Sequence, residues 1–317
     1  MAQNLENLEN LETMFKSRQP VWGQVGQKID RALSAEQVLQ QGGLDWLVEQ
    51  QPIYTEQGQL IPNCKANIRD SDSAVLGIVS DRYQVVQNSE SFSFIDALLG
   101  EGVRFENVGS LQGGRRCFVL AKLPDRYIIN DERIDPYLCF CNSHDGSLAL
   151  TIFMTPIRIV CMNQLNLALK KASRNWSARH VGNMQYKLHE AHETLSLASA
   201  YMSELSKEIN VLNRIKLNDS KVYSFIQELV PLPDNATDIQ KKNVKQLHDD
   251  IITRYYEAPD LKGLEKNGFR FINAVSDHST HADPLRATAN YQENLFMKTL
   301  DGHPTIDRAY SLVKSAA

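Results

Sequence analysis

The absences in this chain narrow its function first. Its five cysteines (Cys64, Cys117, Cys139, Cys141, Cys161) are odd in number, fall mostly in apolar runs and form no CxxC pair. Structural zinc sites and dithiol redox motifs need such close pairs, so these cysteines read as buried thiols. There is no GxxxxGK[ST] phosphate loop and no GxSxG nucleophile elbow, and GSLQGG over 109–114 does not match GxGxxG. ATP-driven and serine-hydrolase mechanisms are therefore unsupported. No run approaches the roughly 18–20 apolar residues that span a bilayer. The opening MAQNLENLENLE has neither the basic nor the apolar region of a signal peptide. A cytoplasmic protein with no membrane partner and no cofactor is expected.

What is present is ordinary for a folded chain: 317 residues, 42% hydrophobic, 23% charged, formal charge −4. That balance excludes a surface coated in positive charge, so any nucleic-acid contact has to come from a local patch. The period of three in NLENLENLE puts Leu5, Leu8 and Leu11 on a drifting helical stripe, the mark of an N-terminal arm over 1–33. Ser34 followed three residues later by Gln37 opens a helix expected over 34–49, ended by Gln51–Pro52.

From 53 to 160 the pattern is that of strands, at 74–80, 83–87, 116–123, 137–141 and 148–154, with a helix over 89–99. Hairpins are expected at Gly113–Gly114 and at the turn His144 to Ser147. After Pro156 the chain reads as helical, first over 159–172 and then from Tyr186. There Leu188, Leu195, Met202 and Ile209 recur every seven residues, as do Ala191, Ala198, Leu205 and Leu212. This is a coiled-coil seam, which either packs on the chain's own core or joins it to another copy. The fold class is α+β, a strand-dominated central sheet followed by long helices, divided into the arm 1–33, an α+β core domain 34–185 and a helical region 186–317.

Charge of one sign is missing from the middle of the chain. No Asp or Glu occurs from Thr151 to His189, while Arg158, Lys170, Lys171, Arg174, Arg179 and Lys187 supply positive charge. Phosphate backbones favour such a stretch, because Lys and Arg that neutralise them release counterions. Trp176 lies inside it and offers a face on which an unpaired base could stack, and Arg115 and Arg116 add a second basic element beside the Gly113–Gly114 turn. Basic residues at helix C-termini, which complement the macrodipole, and an acidic protein partner are the competing explanations.

Three polar clusters invite chemistry and are better explained without it. HEAHE (189–193) has its histidines three apart, unlike HExxH, and reads as a solvated helix face. His144–Asp145–Gly146 is what a tight hairpin demands. DHSTHAD (277–283) gathers His and Asp on an expected surface loop, a metal site only in a minority reading.

The runs LGIVSDRYQVVQNSESFSFIDALL (76–99), GGRRCFVLAKLP (113–124), NSHDGSLALTIFMTPIRIVCMNQLNLAL (142–169), SARHVGNM (177–184) and INAVSDHSTHAD (272–283) together resemble the phage/plasmid-like protein family, a domain of unknown function. Gln164 departs from the threonine expected after VC-x-N. The resemblance implies a mobile-element origin and a bacterial cytoplasm, and brings no catalytic residues. The layout of hairpins followed by a long helix is similar to the core of single-strand annealing proteins, an analogy at the level of fold. The expectation is a non-enzymatic protein that binds single-stranded DNA and promotes its pairing in recombination or replication, as a homo-oligomer that could close into a ring. Arg115, Arg116, Arg158, Lys170, Lys171, Arg174 and Arg179 would contact phosphates and Trp176 would stack a base. The rivals are a protein-interaction module of a mobile element and, last, a metal-dependent nuclease using His144, Asp145, Asp277 or His281.

Overall fold

The computed structural model describes residues 20–29, 34–91, 102–158, 163–167, 169, 173–190 and 194–316. Residues 1–19 and 30–33 of the expected arm lie outside them, with Leu5, Leu8 and Leu11, as do most of the 89–99 helix, Cys161, Lys170 and Lys171. Residues 20–29 are no free arm, since Trp22, Val25 and Ile29 are buried and Gln27–Lys28 pairs with the main sheet. The fold is α+β: antiparallel sheets fill the N-terminal half and long helices follow.

Ser34 and Gln37 form the expected capping box, each side chain bonding the other's backbone N–H, and start α1 (Ala35–Gln41). This helix stops at Gly42–Gly43, well short of residue 49, because the chain turns there into β2 (Val48–Tyr54). β2, β3 (Leu60–Arg69) and β4 (Val75–Ser80) make a three-stranded antiparallel sheet in which Pro52 sits on an edge strand, where its missing N–H costs nothing. The expected strand over 83–87 is irregular chain instead.

The larger sheet runs β1 (Gln27–Lys28), β5 (Arg104–Leu111), β6 (Arg116–Lys122), β8 (Glu132–Ser143), β9 (Leu150–Arg158) and β10 (Asn163–Gln164). In addition β7 (Tyr127–Ile129) pairs with β8 and β11 (Asn175–Ala178) pairs with β9. Both expected hairpins are present: β5–β6 closes through Gly113, at φ 70°, and β8–β9 through the His144–Ser147 turn with Gly146 at φ 74°. Burial is two-sided. Cys117, Val119, Leu138, Phe140, Ile152 and Met154 face one core, whereas Phe118, Leu120, Cys139, Cys141 and Phe153 face the other. Cys117, Cys139 and Cys141 are thus buried free thiols, as expected; Cys64 is half-buried.

The stretch after Pro156 corrects the helical reading. Its described part is β10 followed by irregular chain, held by asparagine amides: Asn163 Nδ2 donates to the Asn273 carbonyl (3.2 Å) and Asn166 Nδ2 to that of Thr299 (2.5 Å). The helices proper are α2 (Met184–Glu190), α3 (Thr194–Arg214), α4 (Asp219–Leu229), α5 (Asp238–Glu257), α6 (Pro259–Lys262), α7 (Gly268–His281), α8 (Tyr291–Asp301) and α9 (Pro304–Ser315). Residues 277–281 of DHSTHAD are accordingly the end of α7, and Ala282 and Asp283 begin the following loop. Asp277 there is buried on Arg254 (2.8 Å), and His278 Nδ1 donates to Asp250 (2.5 Å).

The part of the heptad seam from Ala198 to Leu212 belongs to the chain's own interior; Leu188, Ala191 and Leu195 have no described side-chain environment. Ala198, Met202, Leu205, Ile209 and Leu212 of α3 are all buried among sheet residues and the helices α4, α7 and α9. One apolar core therefore runs from Ile29 to Val313. Residues spent in this way cannot also serve as the face that joins subunits.

The small sheet meets the large one at Gly77, where an added Cβ would stand 2.5 Å from the Asp145 Cα. Asn67 Nδ2 bridges the same junction to the His144 carbonyl (2.7 Å). Gly77→Ala is expected to cost about 2 kcal/mol through overpacking against backbone. The urea midpoint reports it, and an unchanged midpoint would mean that the two sheets are not in contact there.

Candidate nucleic-acid interface

Strand pairing gathers several basic residues around the β8–β9 turn. Arg116 lies opposite Ser143, its Nε donates to Ser147 Oγ (3.1 Å), and the Arg115 carbonyl accepts the His144 N–H (2.7 Å). On the other side of the turn Ala178 lies opposite Leu150, so Arg179 follows the end of β11 at the same end of the sheet. The His180 carbonyl accepts the Gln84 N–H (2.7 Å), which brings the exposed Arg82 within two residues of this junction. Arg115 and Arg179 are exposed and Arg116 is half-buried. Lys187 Nζ donates to the carbonyls of Arg179 (2.9 Å) and Val181 (2.7 Å), fixing the loop that carries Arg179. The carboxylate of the turn, Asp145, is engaged by Ser147, whose backbone N–H (2.9 Å) and hydroxyl (2.5 Å) both donate to it.

Other members of the expected site stand elsewhere. Arg158 is fully buried: its Nε and Nη2 donate to Glu132 (2.9 and 2.7 Å), its Nη1 to Asp260 (2.6 Å) and its Nη2 also to the Asp260 carbonyl (3.1 Å). It is an internal cross-link between β8, β9 and α6, closed to a phosphate. Arg174 is half-buried and its Nη1 donates to the carbonyls of Leu300 (2.5 Å) and Met154 (3.4 Å), tying the end of α8 to the sheet. Trp176, half-buried in β11, packs against the main core. Lys170 and Lys171 lie outside the described residues. Of the expected contacts, Arg115, Arg116 and Arg179 are the ones brought together.

Beneath these arginines lies a buried aromatic and imidazole cluster. His144 Nε2–H donates to Asn88 Oδ1 (3.0 Å), His180 Nδ1–H donates to the Gln84 carbonyl (3.1 Å), and Tyr83 donates to the Ser143 carbonyl (2.5 Å). Tyr83 stacks on His180 at 4.7 Å, and Trp46 meets the His144 ring edge-on at 5.2 Å. Burial pushes His144 down to about 4, helped by the neighbouring His180, and burial likewise pushes His180 down to about 4. Both rings are neutral at pH 7 and hold the turn as structural supports.

Because these folded values lie below the ordinary 6.5, the stability they confer is complete above pH 6.5. It is lost as pH falls toward 4, by an upper bound of about 3 kcal/mol per ring. Urea unfolding at pH 7 and pH 4.5 is expected to show this loss, and His144→Gln is expected to flatten part of the slope. An equal slope in that variant would remove His144 from the account.

Among the described residues no group of three or more His, Cys, Asp or Glu is placed to hold a metal, and no helix is long and apolar enough to cross a membrane. The fold and this site together describe an α+β protein with an arginine-bearing turn at one end of its main sheet. The chain belongs to the family described as Domain of unknown function (DUF932), which matches residues 75–299. No curated protein and no solved structure matches it.

Proposed function

We propose that this protein binds single-stranded DNA, without chemistry, at the end of the main sheet formed by the β5–β6 turn, the β8–β9 turn and the end of β11. The observation that carries the reading is the convergence of Arg115, Arg116 and Arg179, exposed or half-exposed, from the β5–β6 turn and the end of β11 around the β8–β9 turn. Guanidinium groups pair with phosphate oxygens in a bidentate fork, and anchoring them on strand ends fixes their spacing along a backbone. Trp176 has no stacking role here, since its ring is packed on the core.

On this proposal the activity serves recombination or replication of a mobile element in the cytoplasm, as the resemblance to phage/plasmid-like proteins implies. Strand pairing by a homo-oligomer would use surfaces other than the α3 seam, which is internal. Fluorescence anisotropy with labelled single-stranded and duplex oligonucleotides is expected to give tighter, salt-sensitive binding to the single strand. Three to five phosphate contacts correspond to a log–log slope of roughly −2 to −3.5. Absence of saturable single-strand binding at 50 mM salt would end the proposal.

A further inference from the structure

A cavity of about 230 Å³ opens between the end of α7, the following loop, α8 and the start of α9. Its lining is mixed: His278, Ser279, Lys298 and His303 are polar, and Leu247, Leu285 and Tyr291 supply apolar or aromatic surface. Two atoms of the polar lining, Ser279 Oγ and His303 Nδ1, are buried without a hydrogen-bond partner. Buried polar groups are nearly always satisfied, so two such atoms beside one cavity call for a ligand or solvent that completes them.

The polar lining is suited to an anion. Ser279 Oγ and His303 Nδ1 can both donate, and Lys298 is an exposed cation that lines the same space. His278 is held by Asp250, which Arg254 also grips, so that carboxylate is already compensated. His303 is the N-cap of α9 and no side chain caps that helix; Pro304 occupies its first position and Thr305, the next, lines the cavity. Amide groups at a helix N-terminus favour phosphate. Among the described residues that line the space the one carboxylate is Asp283, on the loop, close enough for its charge to act on Tyr291.

From the two unpartnered donors, the Lys298 cation and the mixed lining we infer that the α7–α8–α9 cavity binds a phosphate monoester, its phosphate on Ser279, Lys298 and His303 and its organic body against Leu247, Leu285 and Tyr291. The site shares no residue with the DNA-binding turn and goes beyond that reading. Isothermal titration of the full chain with inorganic phosphate and with thymidine 5′-monophosphate tests it. The monophosphate is expected to bind at least tenfold more tightly than phosphate. Lys298→Ala and Ser279→Ala are each expected to weaken the monophosphate by fivefold or more, and Lys298→Arg to recover most of that loss. Lys298 is exposed, so its variants remain folded, as circular dichroism would verify. No saturable heat from either ligand at millimolar concentration, equal affinity for the two, or unchanged affinity in Lys298→Ala would each overturn the inference.

Discussion

Replacing Arg158 with alanine is expected to destabilise the protein by about 3–5 kcal/mol, because the truncation leaves Glu132 and Asp260 as uncompensated buried charges. The guanidinium is fully buried and both carboxylates are largely so, which makes desolvation the dominant cost once the cation is gone. Adding Glu132→Gln and Asp260→Asn to the alanine variant is expected to return part of the stability, since it removes the orphaned charges themselves. Chemical denaturation of the single and triple variants measures both effects. A loss below about 1 kcal/mol in the single variant would mean that the cluster is solvated, and would return Arg158 to the list of residues open to a ligand.

The second large effect concerns binding. Arg115→Glu/Arg116→Glu is expected to lower single-strand affinity by at least a hundredfold at 50 mM salt, since it replaces two attractive phosphate contacts with two repulsive ones. Arg115 is exposed, and Arg116 contributes one hydrogen bond to Ser147, so the fold is expected to survive with a change in stability near 1 kcal/mol. Retained affinity in a folded double variant would contradict the proposed interface.

Turn chemistry and apolar alternation were legible in the chain; three-dimensional neutralisation was not. The β5–β6 and β8–β9 hairpins follow from Gly113–Gly114 and Asp145–Gly146, because only a few residue types take the backbone angles such turns require. The same logic applies to β7–β8, where Asn130 and Asp131 both adopt positive φ between Ile129 and Glu132; this Asn–Asp pair is a two-residue turn signal present in the sequence. The capping box at Ser34 marks where α1 begins, and Gly42–Gly43, not Gln51–Pro52, is the stop that ends it.

The seam in α3 was visible as periodicity. A repeat of apolar residues states that a face is covered, not by which surface, and here the chain's own sheet and helices cover it. The acid-free window failed for a related reason. Glu132 and Asp260, which neutralise Arg158, lie 26 and 102 residues away in sequence, so no local count of carboxylates could include them. The polar run 277–283 has the residues of a surface turn, yet ion pairs to α5 allow Asp277 and His278 to sit in a packed helix.

The arginines at the β8–β9 end of the sheet are tested most directly by the salt dependence of oligothymidylate binding, measured by anisotropy for the parent chain and for Arg115→Ala/Arg116→Ala/Arg179→Ala. Each phosphate contact contributes about 0.7 to the log–log slope on a single strand, so the triple variant is expected to bind with a slope shallower by about 2. An identical slope and affinity in the two proteins would show that the strand, if bound, is held somewhere else.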